Sequence, residues 1–369
     1  MMMTRVAFTA AVLGLVLGCE DKPKEAKLSD LDAGKASAVD PNLAEAVAAA
    51  GSKAAKPGAG ASADDGPPQN GIFEAGKADA QIERGKPPKI VLGEAGAEPR
   101  AVLSSSLAPG WKQNGTLDLT LRLGRAQFPG LAVSLSLEAP KLAAAAAPGA
   151  AAGPAPVPAA ATPQTEGIRV SARLTDVKLS SDVGAQGKEL AAQLAKMKGS
   201  KIDFSVVSGG VGVDFSHQLA KGATPELEMV LRSVGEALEA TAIGFPKEAV
   251  GVGGFWLITT RGNTGGAEAV AYRLVKLEQV EGESLTLSVS TKRYAVSHKF
   301  EFAGIPPGAE LDQFQSTTEA KLVMHKGDAL ARSGTSKQTF VAGLIPAGGG
   351  DQRLGVQSIA DVTIALGAK

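Results

Sequence analysis

Apolar and polar positions alternate along much of this chain with a period of two. In TLDLTLRL, Thr116 to Leu123, the leucines 117, 119, 121 and 123 fall on one side and Thr116, Asp118, Thr120 and Arg122 on the other. LAVSLSL (Leu131–Leu137), IDFSVV (Ile202–Val207) and SLTLSVS (Ser284–Ser290) repeat the pattern, and GIRVSARLTDVKL, AVAYRLVKLEQV, EAKLVMH and IADVTIAL follow it less cleanly. Successive side chains of a strand point to opposite faces, so each segment predicts a strand with one buried and one wet face, as in antiparallel sheets. Glu281-Gly282 and Ser208-Gly209-Gly210 read as turns between them.

Two stretches switch to helical spacing. Lys188 to Lys198 places Leu190, Leu194 and Met197 on one face. A stronger helix opens at Thr224 as N-cap, with Pro225 at the first position and Glu226 and Glu228 in the first turn. Its apolar stripe is Leu227, Val230 or Leu231, Val234 and Leu238, and it stops near Gly244. Together these elements predict a mainly β (α+β) fold. A strongly curved antiparallel sheet, or open half-barrel, carries the two amphipathic helices on its concave face.

Composition divides the chain. Gly and Pro are plentiful (45 and 21) while aromatics are 4%, so part of the chain is irregular. Residues 19–71 hold hardly a large apolar side chain and read as a disordered tether, with an r.m.s. span of ~40 Å. Residues 72–100 read as extended and mostly irregular, although NGIFEAGKADAQ (Asn70–Gln81) stands out as a motif without an evident role. Residues 101–369 form the β-rich domain, interrupted by an Ala/Pro insert at 143–166 whose prolines forbid a continuous helix or a central strand.

The first residues change the picture of where the protein works. Met1 to Arg5 carry one positive charge and Val6 to Leu17 are almost wholly apolar, too short for a spanning helix but fitting the core of a secretory signal. Val16-Leu17-Gly18-Cys19 resembles the lipobox of bacterial lipoproteins, and Cys19 is the only cysteine of the chain. The resemblance implies a signal peptide over 1–18, cleavage between Gly18 and Cys19, and acylation of the Cys19 thiol. It also implies a membrane partner held through N-terminal acyl chains, in a Gram-negative cell envelope facing the periplasm or the cell surface.

Candidate chemistry is sparse. The chain lacks nucleophile-elbow, P-loop, dinucleotide-binding and H-E-x-x-H motifs. His217, His298 and His325 show no metal-ligand spacing, and the acid pairs Asp176 with Asp182 and Glu310 with Asp312 are no more telling than any two carboxylates. No catalytic residue, cofactor or metal is expected. With 38 basic against 38 acidic residues, a nucleic-acid partner is not expected either.

One stretch, FPKEAVGVGGFW (Phe245–Trp256), combines a helix end, Pro246, three close glycines and the start of a strand. Trp256 is either a ligand-stacking platform or a plug filling the sheet where the glycines leave room. Together with KGSKIDFSVVSGGVGVDFS before the helix and AYRLVKLEQVEGESLTLSVS after it, this stretch resembles a family of uncharacterised β-rich secreted bacterial proteins and lipoproteins. The likeness covers residues 168 to 369 and implies no activity. The expected function is a non-catalytic envelope lipoprotein with a structural or interaction role, its partner an envelope protein or a lipid. The alternative is a periplasmic carrier of lipids or other hydrophobes, with an apolar cavity between the curved sheet and the helices.

Overall fold

The computed structural model describes residues 68–140, 167–181, 184–302, 305, 307–347 and 353–367. Gly18, Cys19, nearly all of the tether and the Ala/Pro insert lie outside the described residues. After a short helix α1 (Lys77–Gln81) come β1 (Lys89–Glu94), β2 (Ala101–Val102), β3 (Lys112–Leu123), β4 (Ala126–Gln127), β5 (Leu131–Glu138) and β6 (Gly167–Leu179). Helix α2 (Gly184–Ala195) precedes β7 (Lys201–Val207) and β8 (Gly212–Gln218), and helix α3 (Glu228–Thr241) precedes β9 (Ala249–Val250) and β10 (Phe255–Thr264). The chain ends on β11 (Ala267–Glu281), β12 (Ser284–Ala295), β13 (Glu310–His325), β14 (Ser333–Ile345) and β15 (Leu354–Leu366).

Thirteen of these strands form one antiparallel sheet, in the order β1-β10-β11-β12-β13-β14-β15-β3-β5-β6-β7-β8, with β4 paired to β3 alone. It is two meanders joined where the last strand, β15, pairs with β3 (Val362 opposite Leu119). The sheet does not close into a barrel, yet its two edges approach each other, Ile90 of β1 packing against Gly209 in the β7–β8 turn and against Gly244. The inner face is leucine- and valine-rich, with Leu117, Leu121, Val133, Leu137, Leu174, Leu285 and Leu322 fully buried.

Helix α3 runs inside the curve, with Val230, Leu231, Val234 and Leu238 all buried. Its entry differs in detail from the expectation. Thr224 has extended backbone but makes no side-chain capping bond, and Pro225–Leu227 form a 3-10 turn before the α-helix begins at Glu228. Glu228 instead pairs one turn on with Arg232 at 2.6 Å. Helix α2 packs against β6 and buries Leu194; it starts at Gly184 and ends at Ala195, so that Met197, expected on the helix, is buried from the turn that follows it.

One expected boundary, the end of the tether, is corrected. Residues 72–100 are irregular over most of their length, and within them stand α1 and the edge strand β1, which pairs with β10 from Lys89 opposite Thr259 to Glu94 opposite Phe255. The tether cannot extend to residue 71, because the Phe314 amide donates to Asn70 O (3.0 Å) and the Ala295 amide to Gly71 O (2.8 Å). Gly71 is needed there: a Cβ would lie 1.7 Å from Phe314 O. The NGIFEAGKADAQ motif thus acquires a role as a strap. Phe73, Ala78 and Ile82 cover an outward-facing apolar patch made by Leu257, Val270, Tyr272, Leu274 and Tyr294. Gln81 accepts from the Tyr272 hydroxyl at 3.0 Å, and Asp79 pairs with Arg261.

Candidate functional site

The two faces of this sheet have different chemistry, and each is a candidate. On the inner face, the stretch from Phe245 to Trp256 forms the seam between the sheet's two edges. The Phe245 amide donates to Gly209 O at 3.0 Å, tying the segment after α3 to the β7–β8 turn. Trp256 stands next to it with no exposed surface. Its Nε1–H donates to Gly244 O at 2.8 Å, and its ring lies 5.6 Å from that of Phe245. Gly251 lets the chain before β2 approach, since a Cβ there would fall 1.8 Å from Ala97 O. Of the two roles open to Trp256, the geometry is that of the plug.

Farther along the same face the interior turns polar. Arg273, Thr291, Thr318 and Gln338 sit opposite one another on β11 to β14. Arg273 and Arg293 are each 2% exposed and both reach Glu239 of α3, Nη2 to Oε1 and Nη2 to Oε2, at 3.0 Å each. Arg273 also donates to Ala242 O at 3.0 Å, the last carbonyls of α3 being without helical partners. Arg293 donates to Thr318 Oγ1 at 3.1 Å. Burial alone would raise the Glu239 carboxyl, but Arg293 and Arg273 together reverse this and hold it below the usual carboxylate range. Glu236, one turn earlier, is pushed up by burial.

The concavity is filled. Under Met229, Arg232 and Phe302 there is about 10 Å³ of space, room for one water. Arg232 lies over the Phe302 ring at 5.1 Å, and Gln338 donates to Ser233 O at 3.3 Å. On the far side of α3, His217 of β8 packs so closely that a Cβ on Gly235 would lie 2.1 Å from its Nε2. Burial, and then the Arg232 charge, bring the His217 pKa down to about 4, with Glu228 and Glu239 opposing.

This histidine makes a testable contribution. Because the folded protein binds its proton less readily than the unfolded chain, stability attributable to His217 is present above pH ~6.5 and lost as pH falls toward ~4, by up to about 3 kcal/mol. Urea titrations of wild type and His217→Gln at pH 7 and pH 5 are expected to diverge, the wild type losing more on acidification. Equal losses would assign the slope to other groups.

The remaining sequence candidates do not gather. His298 Nδ1 contacts Leu311 O at 2.6 Å, His325 ends β13, and Asp182 lies outside the described residues. Asp176 pairs with Lys178, which lowers its pKa, and Asp312 pairs with Arg353 at 2.8 Å. Among the described residues no cluster of three metal-ligating side chains occurs.

On the outer face, β13, β14, β15 and β3 sink into an open trough of about 730 Å³. One wall carries Glu319, Lys337, Asp361 and Thr120 in register across the four strands, and the other Lys321, Thr335, Thr363 and Asp118. All eight are exposed. The floor is backbone at Ala320, Ser336, Val362 and Leu119, whose side chains turn inward. These polar positions look like ordinary wet strand residues in sequence, and only their alignment across four strands makes them a site. No protein-family model matches the chain, and no curated protein matches it.

Proposed function

We propose that this protein is a non-catalytic lipoprotein of the bacterial cell envelope, anchored through Cys19, that acts by binding a partner on the outer face of its sheet. The observation that carries this reading is the contrast between the two faces. The inner face is occupied by α3, whose Val230, Leu231, Val234 and Leu238 are buried against the sheet, and the space under Met229, Arg232 and Phe302 is about 10 Å³, whereas the outer face holds a trough of about 730 Å³. A carrier of lipids would need an apolar space of ~300–1,000 Å³, and the filled interior speaks for binding over carrying. Two or more acyl chains at Cys19 anchor stably where one alone holds marginally.

The anchor is tested by labelling. Cells expressing the full chain with a fatty-acid probe should yield labelled protein that partitions into detergent, and Cys19→Ala should remain unlabelled and unprocessed. A mature protein starting at any residue other than Cys19 would remove the anchor. Stoichiometric lipid released from the purified wild-type protein by organic extraction, beyond the covalent chains, would instead support the carrier.

A further inference from the structure

The outer trough has the chemistry of a particular ligand class. Two lysines, Lys321 and Lys337, stand on β13 and β14, and two of the three carboxylates, Asp118 and Asp361, stand apart on β3 and β15. Glu319, also on β13, already accepts from the Ser290 hydroxyl at 2.8 Å. Among the described residues no hydrogen bond or ion pair engages Lys337, Asp361, Asp118 or Lys321, although the charge of Lys321 reaches Glu278. Lys337 and Asp361 are register partners on adjacent strands and still do not close on each other.

We propose that the trough binds a short peptide carrying a free ammonium and a free carboxylate, lying across the strands. Its carboxylate sits against Lys321 and Lys337 and its ammonium against Asp118 and Asp361. Strands are spaced by ~4.8 Å, so the row from Lys321 on β13 straight across to Asp118 on β3 spans three spacings, ~14 Å. An extended chain covers ~3.3–3.6 Å per residue, which makes the matching ligand about four residues long. Thr335 and Thr363 stand between Lys321 and Asp118 in their row and offer hydroxyls, donor and acceptor at once, to its peptide groups.

Other occupants fit less well. A stacking sugar would need an aromatic wall, and no aromatic residue lines the trough, while a lipid tail would lie in the open beside five charged side chains. A polyanion would meet three carboxylates for two lysines. A second copy of this chain would be charge-complementary about a two-fold axis, positive half on negative half, but two concave faces cannot fill each other's hollow.

The proposal rests on the reading that the protein acts through its outer face, and it fails separately. A chain acylated at Cys19 that ignores the peptide keeps the anchor and loses this site. The probe is tetra-alanine, titrated by calorimetry into the full chain in detergent at low ionic strength. Its dissociation constant is expected on the order of 0.1–1 mM. Acetylating the amine or amidating the carboxylate should each weaken binding roughly threefold, the modest factor that exposed charges supply, and salt should weaken the free peptide most. In Lys321→Gln/Lys337→Gln, amidation should cease to matter while acetylation still does; Asp118→Asn/Asp361→Asn should show the reverse. Equal binding of free and doubly blocked peptide to the wild type, or no binding at ~10 mM, would overturn the proposal without recourse to any variant. So would a concentration-dependent dimer that the lysine substitutions abolish, which would give the face to a second copy.

Discussion

Replacing Trp256 with alanine is expected to remove about 3–5 kcal/mol of stability, the range for deleting a fully buried large aromatic. Three losses coincide there. The indole has no exposed surface, so its entire packing is lost and a cavity opens where β10 meets the segment leaving α3. Its Nε1–H is the partner of Gly244 O, and a buried carbonyl left unpaired costs about 1–3 kcal/mol. The residue also sits beside the seam, where packing replaces the strand-to-strand ladder that a closed barrel would have. Guanidinium unfolding followed by far-ultraviolet circular dichroism measures the effect independently of Trp111. Trp256→Phe should lose less, keeping most of the contact with Phe245 while orphaning the Gly244 carbonyl. A stability change under about 1 kcal/mol for the alanine variant would mean that the seam does not depend on this ring.

The second large effect concerns Glu239. Its two oxygens each take one buried guanidinium, so Glu239→Ala leaves Arg273 and Arg293 desolvated without the carboxylate both are paired to, Glu236 reaching Arg293 only by its charge. Breaking a buried ion pair in this way costs about 3–5 kcal/mol, whereas replacing all partners with apolar groups of similar volume is often neutral. The triple variant Arg273→Met, Glu239→Leu, Arg293→Met should therefore recover most of what the single substitution loses, and an unrecovered triple variant would show that the charges themselves hold α3. The acid limb gives an independent check. The depressed Glu239 carboxyl contributes stability that is present above the ordinary glutamate value of 4.5 and lost as pH falls through its lower folded value. Glu239→Gln should flatten that limb.

The strands named from alternation are present, and so is the stripe of α3, because the periods of two and of 3.6 follow from local backbone geometry and need no knowledge of the partner. The exceptions have physical causes. β14, SGTSKQTFVAGLI, shows no greasy face in its first half, because Ser336 and Gln338 point inward, Gln338 donating to Ser233 O on α3. β11 alternates poorly because both its faces are buried, the outer one under Phe73 and Ile82 of the strap, and a strand covered on both sides reads as a continuous apolar run. α1 is only five residues long, below the reach of any periodicity.

The sequence by itself determined the class of the fold, the identity of most strands and the buried face of α3, since each is written in a pattern a few residues long. Only the tertiary structure decided that β15 pairs with β3, that Asp79 meets Arg261 across 182 positions of chain, and that Glu239 serves Arg273 and Arg293, 34 and 54 positions away. It also decided that Trp256 fills a seam and that eight ordinary polar residues line one trough. Such pairings depend on how a curved sheet brings distant strands together, and a charged residue at a strand position looks the same in sequence whether it meets water, a helix or a ligand.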